Sequence, residues 1–397
     1  MTERFPLTRQ HLATCGEDGG QPVFTGAHGA RLVDENGQET LCLNDISCIL
    51  GYRHPVFTEG TAELMRSRLL CHAGMFSGPK EELVGNFMRV THGDFDKLLI
   101  TGSGGEAVDW AIKLARRATG RDGVVSFRHA LHGRSFAGAF LSDTPVRKDG
   151  FGSGLEHTYM WDYPADGRAS EPAAANGPDP AAVIIEPYQA LSGMDTPSKE
   201  YWQWLRAYTR ERGIVLIFDE IQTGFCKTGS FFAYEECGIV PDILLAGKGM
   251  SNGFGLGALL MDKRIAACVQ PRQLSGGSAD NDLMCGIVNL VFDILQKEDL
   301  AARAENTGRF FAGELLRLFE EKGIPARVHG KGLFFSVELP EGLAGDLCKK
   351  ARDARVLLGR SGDRVVIRAP LVITREDVLE CCRVLRAALF MSAGARP

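Results

Sequence analysis

Short apolar runs alternate with amphipathic stretches through the middle of the chain. Lys97–Thr101 and residues 123–127, 182–186, 215–218, 243–246 and 258–261 are mostly apolar and are bounded by glycine or polar residues. Runs of this length read as buried strands. Between them, residues 106–119 carry one apolar face and stop at Gly120, and residues 199–213 form a second helical stretch with a glycine stop. This alternation predicts an α/β fold whose main sheet is largely parallel, with crossover helices.

The flanks follow other patterns. Residues 22–43 predict short strands with a hairpin turn at Asn36-Gly37. The run from Gly51 to Pro55 breaks the chain before helical patterns at 59–70 and 83–90. Residues 164–180, rich in Pro, Gly and Ala, read as a surface excursion. Past Asn281 the pattern predicts helices over 283–300, 300–322 and 376–390, and strands over 328–338 and 365–367. Three parts are therefore expected. Residues 1–50 form an N-terminal segment packing with the small domain, 51–290 a large cofactor-binding domain, and 291–397 a small α+β domain.

Composition narrows the function classes. With 44% hydrophobic and 24% charged residues, the 397-residue chain has the make-up of a soluble globular protein. A formal net charge of −5 argues against nucleic-acid or anionic-membrane partners. No apolar run reaches the length of a membrane span, and the N-terminus has no signal-peptide core. The 11 cysteines are odd in number and include no C-x-x-C pair. They predict reduced thiols in the cytoplasm, with neither a disulfide framework nor a zinc site.

The candidate chemistry lies at predicted strand ends. The loop Thr101-Gly-Ser-Gly-Gly-Glu-Ala joins a strand to a helix, where glycines and free N–H groups suit a phosphate. A dinucleotide would call for an acid at the end of the next strand; Arg128 stands there, and the glycine spacing is incomplete. Glu186, Asp219 and Lys248 also fall at strand ends. Taken singly, Asp219 would be a turn former and Lys248 a surface lysine. Together they suit pyridoxal 5'-phosphate: a lysine for a Schiff base, an acid for the pyridinium nitrogen and an anion site for the phosphate. Partial burial would lower the lysine's pKa and free its amine to attack.

Asp219-Glu-Ile-Gln-Thr-Gly-Phe followed by Lys248-Gly-Met resembles the signature of the class III (ornithine and 4-aminobutyrate type) aminotransferases. Arg31-Leu-Val-Asp, Gly51-Tyr-Arg-His-Pro, Ser103-Gly-Gly-Glu-Ala, His132-Gly-Arg, Ala182-Val-Ile-Ile-Glu-Pro, Val328-His-Gly-Lys-Gly-Leu and Arg368-Ala-Pro-Leu are similar to further family segments, in order. The resemblance implies a fold type I enzyme that moves an amino group from a small-molecule donor to an oxo acid or aldehyde by a ping-pong mechanism. It also implies a homodimer with the active site at the subunit interface. Lys248 would carry the Schiff base, Asp219 bind the ring nitrogen, Gln222 approach the ring hydroxyl and Ile221 pack behind the ring. Ser103, Gly104 and Gly105 would hold the phosphate, with Leu131, His132 and Glu186 also at the cofactor. Arg368 would meet a substrate carboxylate, unless it serves a structural salt bridge.

Three positions depart from the family pattern. Leu131 replaces a stacking aromatic residue. Leu191 replaces a gating glutamate, so carboxylate recognition is expected to differ. Gly277 replaces a threonine that reaches the neighbouring subunit's phosphate, with Ser275 and Ser278 as possible substitutes. The spacing of His129 and His132 is a weak metal pair, with one histidine expected near the cofactor. His72 and Phe76 fall where the family builds its substrate pocket. The alternatives are a racemase or epimerase or a decarboxylating transaminase on the same fold, and, more distantly, a nicotinamide-dependent oxidoreductase.

Overall fold

A computed structural model describes residues 23–67, 74–165, 179–270 and 273–393. His72, the end of the helix expected over 59–70 and most of the excursion expected over 164–180 lie outside the described residues.

The chain begins with three antiparallel strands, β1 (Phe24–His28), β2 (Arg31–Asp34) and β3 (Glu39–Cys42). The turn between β2 and β3 is the expected one. Gly37 sits at φ 74°, and Asp34 Oδ1 accepts from the backbone of Asn36 and Gln38, both at 2.9 Å. Helices α1 (Pro55–Ser67) and α2 (Gly78–Val90) follow.

Seven strands form the central sheet: β4 (Lys97–Thr101), β5 (Val124–Phe127), β6 (Thr158–Trp161), β7 (Ala182–Ile185), β8 (Val215–Asp219), β9 (Ile243–Gly247) and β10 (Gly257–Met261), in spatial order β4-β10-β9-β8-β7-β5-β6. The helices between them are α3 (Gly104–Thr119), α4 (Phe136–Leu141), α5 (Lys199–Glu211) and α6 (Tyr234–Cys237), and α7 (Lys263–Ala267) follows the last strand. The strands are apolar on both faces because both faces are covered. Val124, Ala182, Ile184, Val215, Ile217, Ile243 and Leu245 pack with Ala107, Val108, Ala111 and Ile112 of α3. Their neighbours Val125, Val183, Ile185, Leu216, Phe218 and Leu244 pack on the other side with Trp202 and Leu205 of α5. The strand period of two thus divides each run between two layers.

The central sheet is largely parallel, as expected, with one strand reversed. β10 runs antiparallel to both its neighbours, β4 and β9. A fully buried strand is apolar whichever way it points, so its direction left no mark in the pattern. The reversal brings the residues just before β10 to the same sheet edge as the carboxyl ends of the parallel strands.

Beyond the sheet come α8 (Asp282–Lys297) and α9 (Leu300–Glu320). The expected boundary at residue 290 falls inside α8, which packs on α1 and α2. Residues 328–338 are not one strand but a hairpin, β11 (Arg327–Lys331) and β12 (Phe334–Glu338), because Gly330 and Gly332 take φ of 88° and 59° and turn the chain. Helix α10 (Leu343–Asp353), β13 (Val356–Leu357) and β14 (Gly359–Ser361) were not read from the sequence; β15 (Arg364–Ile367) and α11 (Arg375–Ala393) complete the chain. β13 joins β3 in parallel, Arg31 reaches Asp377 and Glu380 at 2.7 Å each, and Arg355 reaches Asp34 at 3.0 Å. The first strands therefore pack with the last third of the chain. No helix among the described residues is long and apolar enough to cross a membrane.

Two glycines of α9 meet opposite surroundings. A Cβ on Gly308 would lie 1.9 Å from the Gly332 carbonyl oxygen, and Gly332 in turn abuts Lys227 and Thr228 below the site; a Cβ on Gly313 would touch nothing. Gly308→Ala is expected to destabilise by about 1–3 kcal/mol, and Gly313→Ala to stabilise by about 0.5–1 kcal/mol. Urea unfolding of the two variants checks the opposite signs; shifts of the same sign would contradict this packing.

Candidate active site

The turn between β4 and α3 presents a capped helix N-terminus. Ser103 Oγ accepts from Glu106 N at 3.1 Å, and Glu106 Oε2 accepts from Gly102 N at 2.8 Å. The remaining first-turn N–H groups have no intrahelical partner, and the helix dipole adds positive potential there. Gly104 and Gly105 permit close approach: a Cβ on the first would lie 2.9 Å from Ile221 Cδ1, and on the second 3.0 Å from Ser135 Oγ.

Lys248 follows β9 directly, in the left-handed region at φ 45°. For a lysine this conformation costs on the order of 1–3 kcal/mol and must be imposed by its surroundings. The segment Ile49-Leu50 imposes it. Gly249 lies so close to Ile49 that a Cβ would come within 2.7 Å of Ile49 Cγ2, and Asn252 Oδ1 accepts from Leu50 N at 2.9 Å. Burial pushes the Lys248 ammonium down to about 8, against the attraction of Asp219 and Glu186; Arg368 and Arg147 lower it further.

Asp219 ends β8, and it is buried. Its Oδ2 lies 2.7 Å from His132 Nδ1, and its Oδ1 accepts from Ile221 N at 3.1 Å. A carboxylate only accepts, so the shared proton belongs to His132. Glu186, just past β7, sits deeper than expected. Its oxygens accept from Leu131 N at 2.9 Å and Ala190 N at 3.3 Å, and burial lifts its pKa to about 7, opposed by His132 and assisted by Asp219. It braces the 129–132 loop rather than facing the cavity.

Lys248, Ser103, Gly104, Gly105, Leu131, His132 and Ile221 line a single cavity of about 480 Å³. The loop Gly253–Leu256, delivered by the reversed β10, forms another wall and supplies Phe254, the one phenylalanine, tyrosine or tryptophan that lines the cavity among the described residues. Gln222 is buried nearby in sequence to Asp219, its Nε2 without a hydrogen-bond partner among the described residues. Arg368 is half-buried and lies outside the lining. Its Nε donates to Asn44 Oδ1 at 2.8 Å, burial lowers its pKa, and no carboxylate among the described residues pairs with it. Ser278 is exposed and does not reach the cavity of its own chain, and Gly277 takes φ 64° beside it. His129 is exposed while His132 is buried against Asp219.

Three residues escaped the sequence reading. Arg134 and Arg147 line the cavity, and among the described residues no acidic side chain does. Arg134 lay in the quoted His132-Gly-Arg run; Arg147 lies in a loop with no motif. Lys227 is fully buried, donates to the carbonyls of Asp45 at 3.3 Å, Arg368 at 3.5 Å and Ala369, and is pushed down to about 7 by burial. It ties the segment after β8 to the backbone that carries Arg368.

Comparison with known proteins agrees with this geometry. A family profile described as aminotransferase class-III matches residues 16–389. The acetylornithine aminotransferase of Agrobacterium fabrum is 30% identical, over 93% of this chain and 94% of its own. The 5-aminovalerate aminotransferase DavT of Pseudomonas putida is also 30% identical, over 94% of this chain and 95% of its own. Among solved structures, the ornithine aminotransferase from Toxoplasma gondii has a TM-score of 0.88 at 25% identity, covering 99% of this chain and 95% of that one. The chain belongs to the class-III aminotransferases and is a pyridoxal-phosphate-dependent aminotransferase of fold type I.

Proposed function

We propose that amino-group transfer runs at Lys248, with the cofactor's phosphate at Ser103-Gly104-Gly105 and its ring nitrogen at Asp219. One observation carries this reading: a single cavity holds a part-buried lysine and a capped helix N-terminus, with a buried carboxylate behind them. The orphaned Nε2 of Gln222 supports the fit, since a buried donor without a partner suits the ring hydroxyl. Pyridoxal phosphate supplies an electron sink for the carbon that bears the amine. Asp219 would keep the ring nitrogen protonated, and His132 fixes the direction of that carboxylate. Ile221 and Leu131 offer aliphatic contacts to the ring. Lys248 Nζ attacks as a neutral amine and later moves the proton of the substrate carbon.

The donor we propose is an amine that also carries a carboxylate, as do acetylornithine and 5-aminovalerate, after which two of the relatives are named. Arg134 in the cavity wall and the unpaired Arg368 support it, since guanidinium pairs well with carboxylate. Leu191 offers no acid to either. The acceptor is an oxo acid or aldehyde. We further propose a homodimer, because Phe136, Val146, Phe151 and Phe254 expose apolar surface on the cavity wall or in the loops that continue from it. A reducing cytoplasm suits the 11 cysteines without paired spacing.

Borohydride added to the yellow holoenzyme is expected to bleach the visible band and leave its label on Lys248. Lys248→Ala should lose at least about 10²-fold in turnover. A label on another residue would move the reaction centre elsewhere. Below about pH 8 the Lys248 amine is protonated and cannot attack, so cofactor capture by the cofactor-free protein should speed up with pH and level off above that value; stopped-flow absorbance gives the profile, and a flat one contradicts the role. Arg368→Ala is expected to cost roughly 10- to 100-fold in kcat/KM with 2-oxoglutarate or pyruvate. Rates equal to wild type with both acids would remove Arg368 from substrate binding. Sedimentation should give a dimer, and Phe136→Asp combined with Val146→Asp a monomer; an unchanged dimer would place the interface elsewhere.

A further inference from the structure

Arg147 is the second arginine of the cavity wall, beside Arg134. It ends the short 3-10 turn Pro145–Arg147, held by its own N–H donating to the Thr144 carbonyl at 3.0 Å. Its side chain is half-buried and lines the cavity of Lys248. Among the described residues no carboxylate pairs with it; its one hydrogen bond is from Nη1 to the Gly133 carbonyl at 3.4 Å. Burial lowers its pKa and the neighbouring Arg134 lowers it further, so the guanidinium sits in a place unfavourable to its charge. A half-buried cation beside a second cation and without an anion is costly unless a ligand supplies one.

The backbone indicates which end of the cavity it serves. Gly133, which accepts from Arg147, packs on the glycine turn: a Cβ there would lie 3.3 Å from Gly105 Cα. Ser135 closes on the same glycine. The guanidinium thus bonds the residue that packs against the start of α3. The free N–H groups there offer only partial charges, whereas a phosphate monoester carries nearly two full ones.

We propose that Arg147 is a phosphate-positioning residue, whose guanidinium pairs within the same chain with the phosphate held at Ser103-Gly104-Gly105. The proposal rests on the cofactor placement given above and adds a residue to it.

Cofactor-free protein titrated with pyridoxal phosphate and with pyridoxal, which lacks the phosphate, tests it. Arg147→Ala is expected to weaken pyridoxal phosphate by roughly 10- to 100-fold and to leave pyridoxal unchanged. Arg147→Lys should recover part of the loss, keeping the charge without the planar fork. The ³¹P resonance of the bound phosphate, insensitive to pH in the wild type, should titrate in Arg147→Ala. Equal weakening of both ligands would reduce Arg147 to a structural role and overturn the proposal. Unchanged affinity for pyridoxal phosphate with a raised KM for the amino donor would also overturn it, assigning the guanidinium to the substrate. Borohydride labelling separates the two levels. If Lys248 is labelled in both proteins while affinities match, only the role of Arg147 falls; if Lys248 is unlabelled in the wild type, the cofactor placement falls with it.

Discussion

The hydrogen bond between His132 Nδ1 and Asp219 Oδ2, 2.7 Å long and closed off from solvent, sets the geometry of the cavity. A carboxylate at the end of a buried strand needs partners, because desolvation without them costs several kcal/mol. Asp219 finds one in the loop after β5 and another in its own next turn at Ile221. The first of these bonds joins the end of β8 to the 129–132 loop. Glu186 repeats the device one strand over, gripping Leu131. The cavity wall on that side is therefore held by two acids that do not themselves line it. The negative potential they create is also what keeps the Lys248 pKa from falling further.

Much of this was legible in the sequence, for a definable reason. Apolar runs that stop abruptly on an ionisable residue have few readings, and Asp219 and Lys248 each end such a run. The glycine turn was legible because glycines between a strand and a helix let backbone approach an anion at the helix start, and a capped helix N-terminus stands there. What depended on partners distant in sequence was not legible. Nothing in the run before Leu131 shows that Glu186 turns towards that backbone instead of into the cavity. Arg147 sits in an irregular loop, where periodicity carries no information, and its neighbours become visible only when Gly133 and Gly105 are seen in contact. The reversal of β10 was hidden by burial on both faces. Ser278, chosen by its place beside an altered motif, is exposed in its own chain.

The outer parts of the molecule hold the centre in register. Segment 43–50 runs from the small sheets to the lysine turn: Arg368 N donates to Leu43 O at 2.9 Å, Leu371 N to Ile49 O at 2.7 Å, and Leu50 N to Asn252 Oδ1. Lys227 fastens the same region from below, its ammonium enclosed by three backbone carbonyls. Of the ionisable groups near the site, Asp219, Glu186 and Lys227 are tied to backbone, and His132 lines the cavity bonded to Asp219. Lys248, Arg134 and Arg147 also line the cavity, and all three are basic.

The direction of β10 has a consequence for how this scaffold can vary. Both its neighbours hydrogen-bond along its whole length, in register from Gly257 to Met261, so the strand itself has little freedom. The loop that precedes it has no such obligation, yet it opens onto the ligand edge of the sheet. Glycines at 253 and 255 keep that loop thin, and Phe254 is its one bulky member. Phe254 can be exchanged there without shifting the ladder behind it, whereas Gly253, at φ 103°, takes a side chain only with strain. The strand that runs against the others thus separates a fixed chemical centre from a wall that is free to diversify.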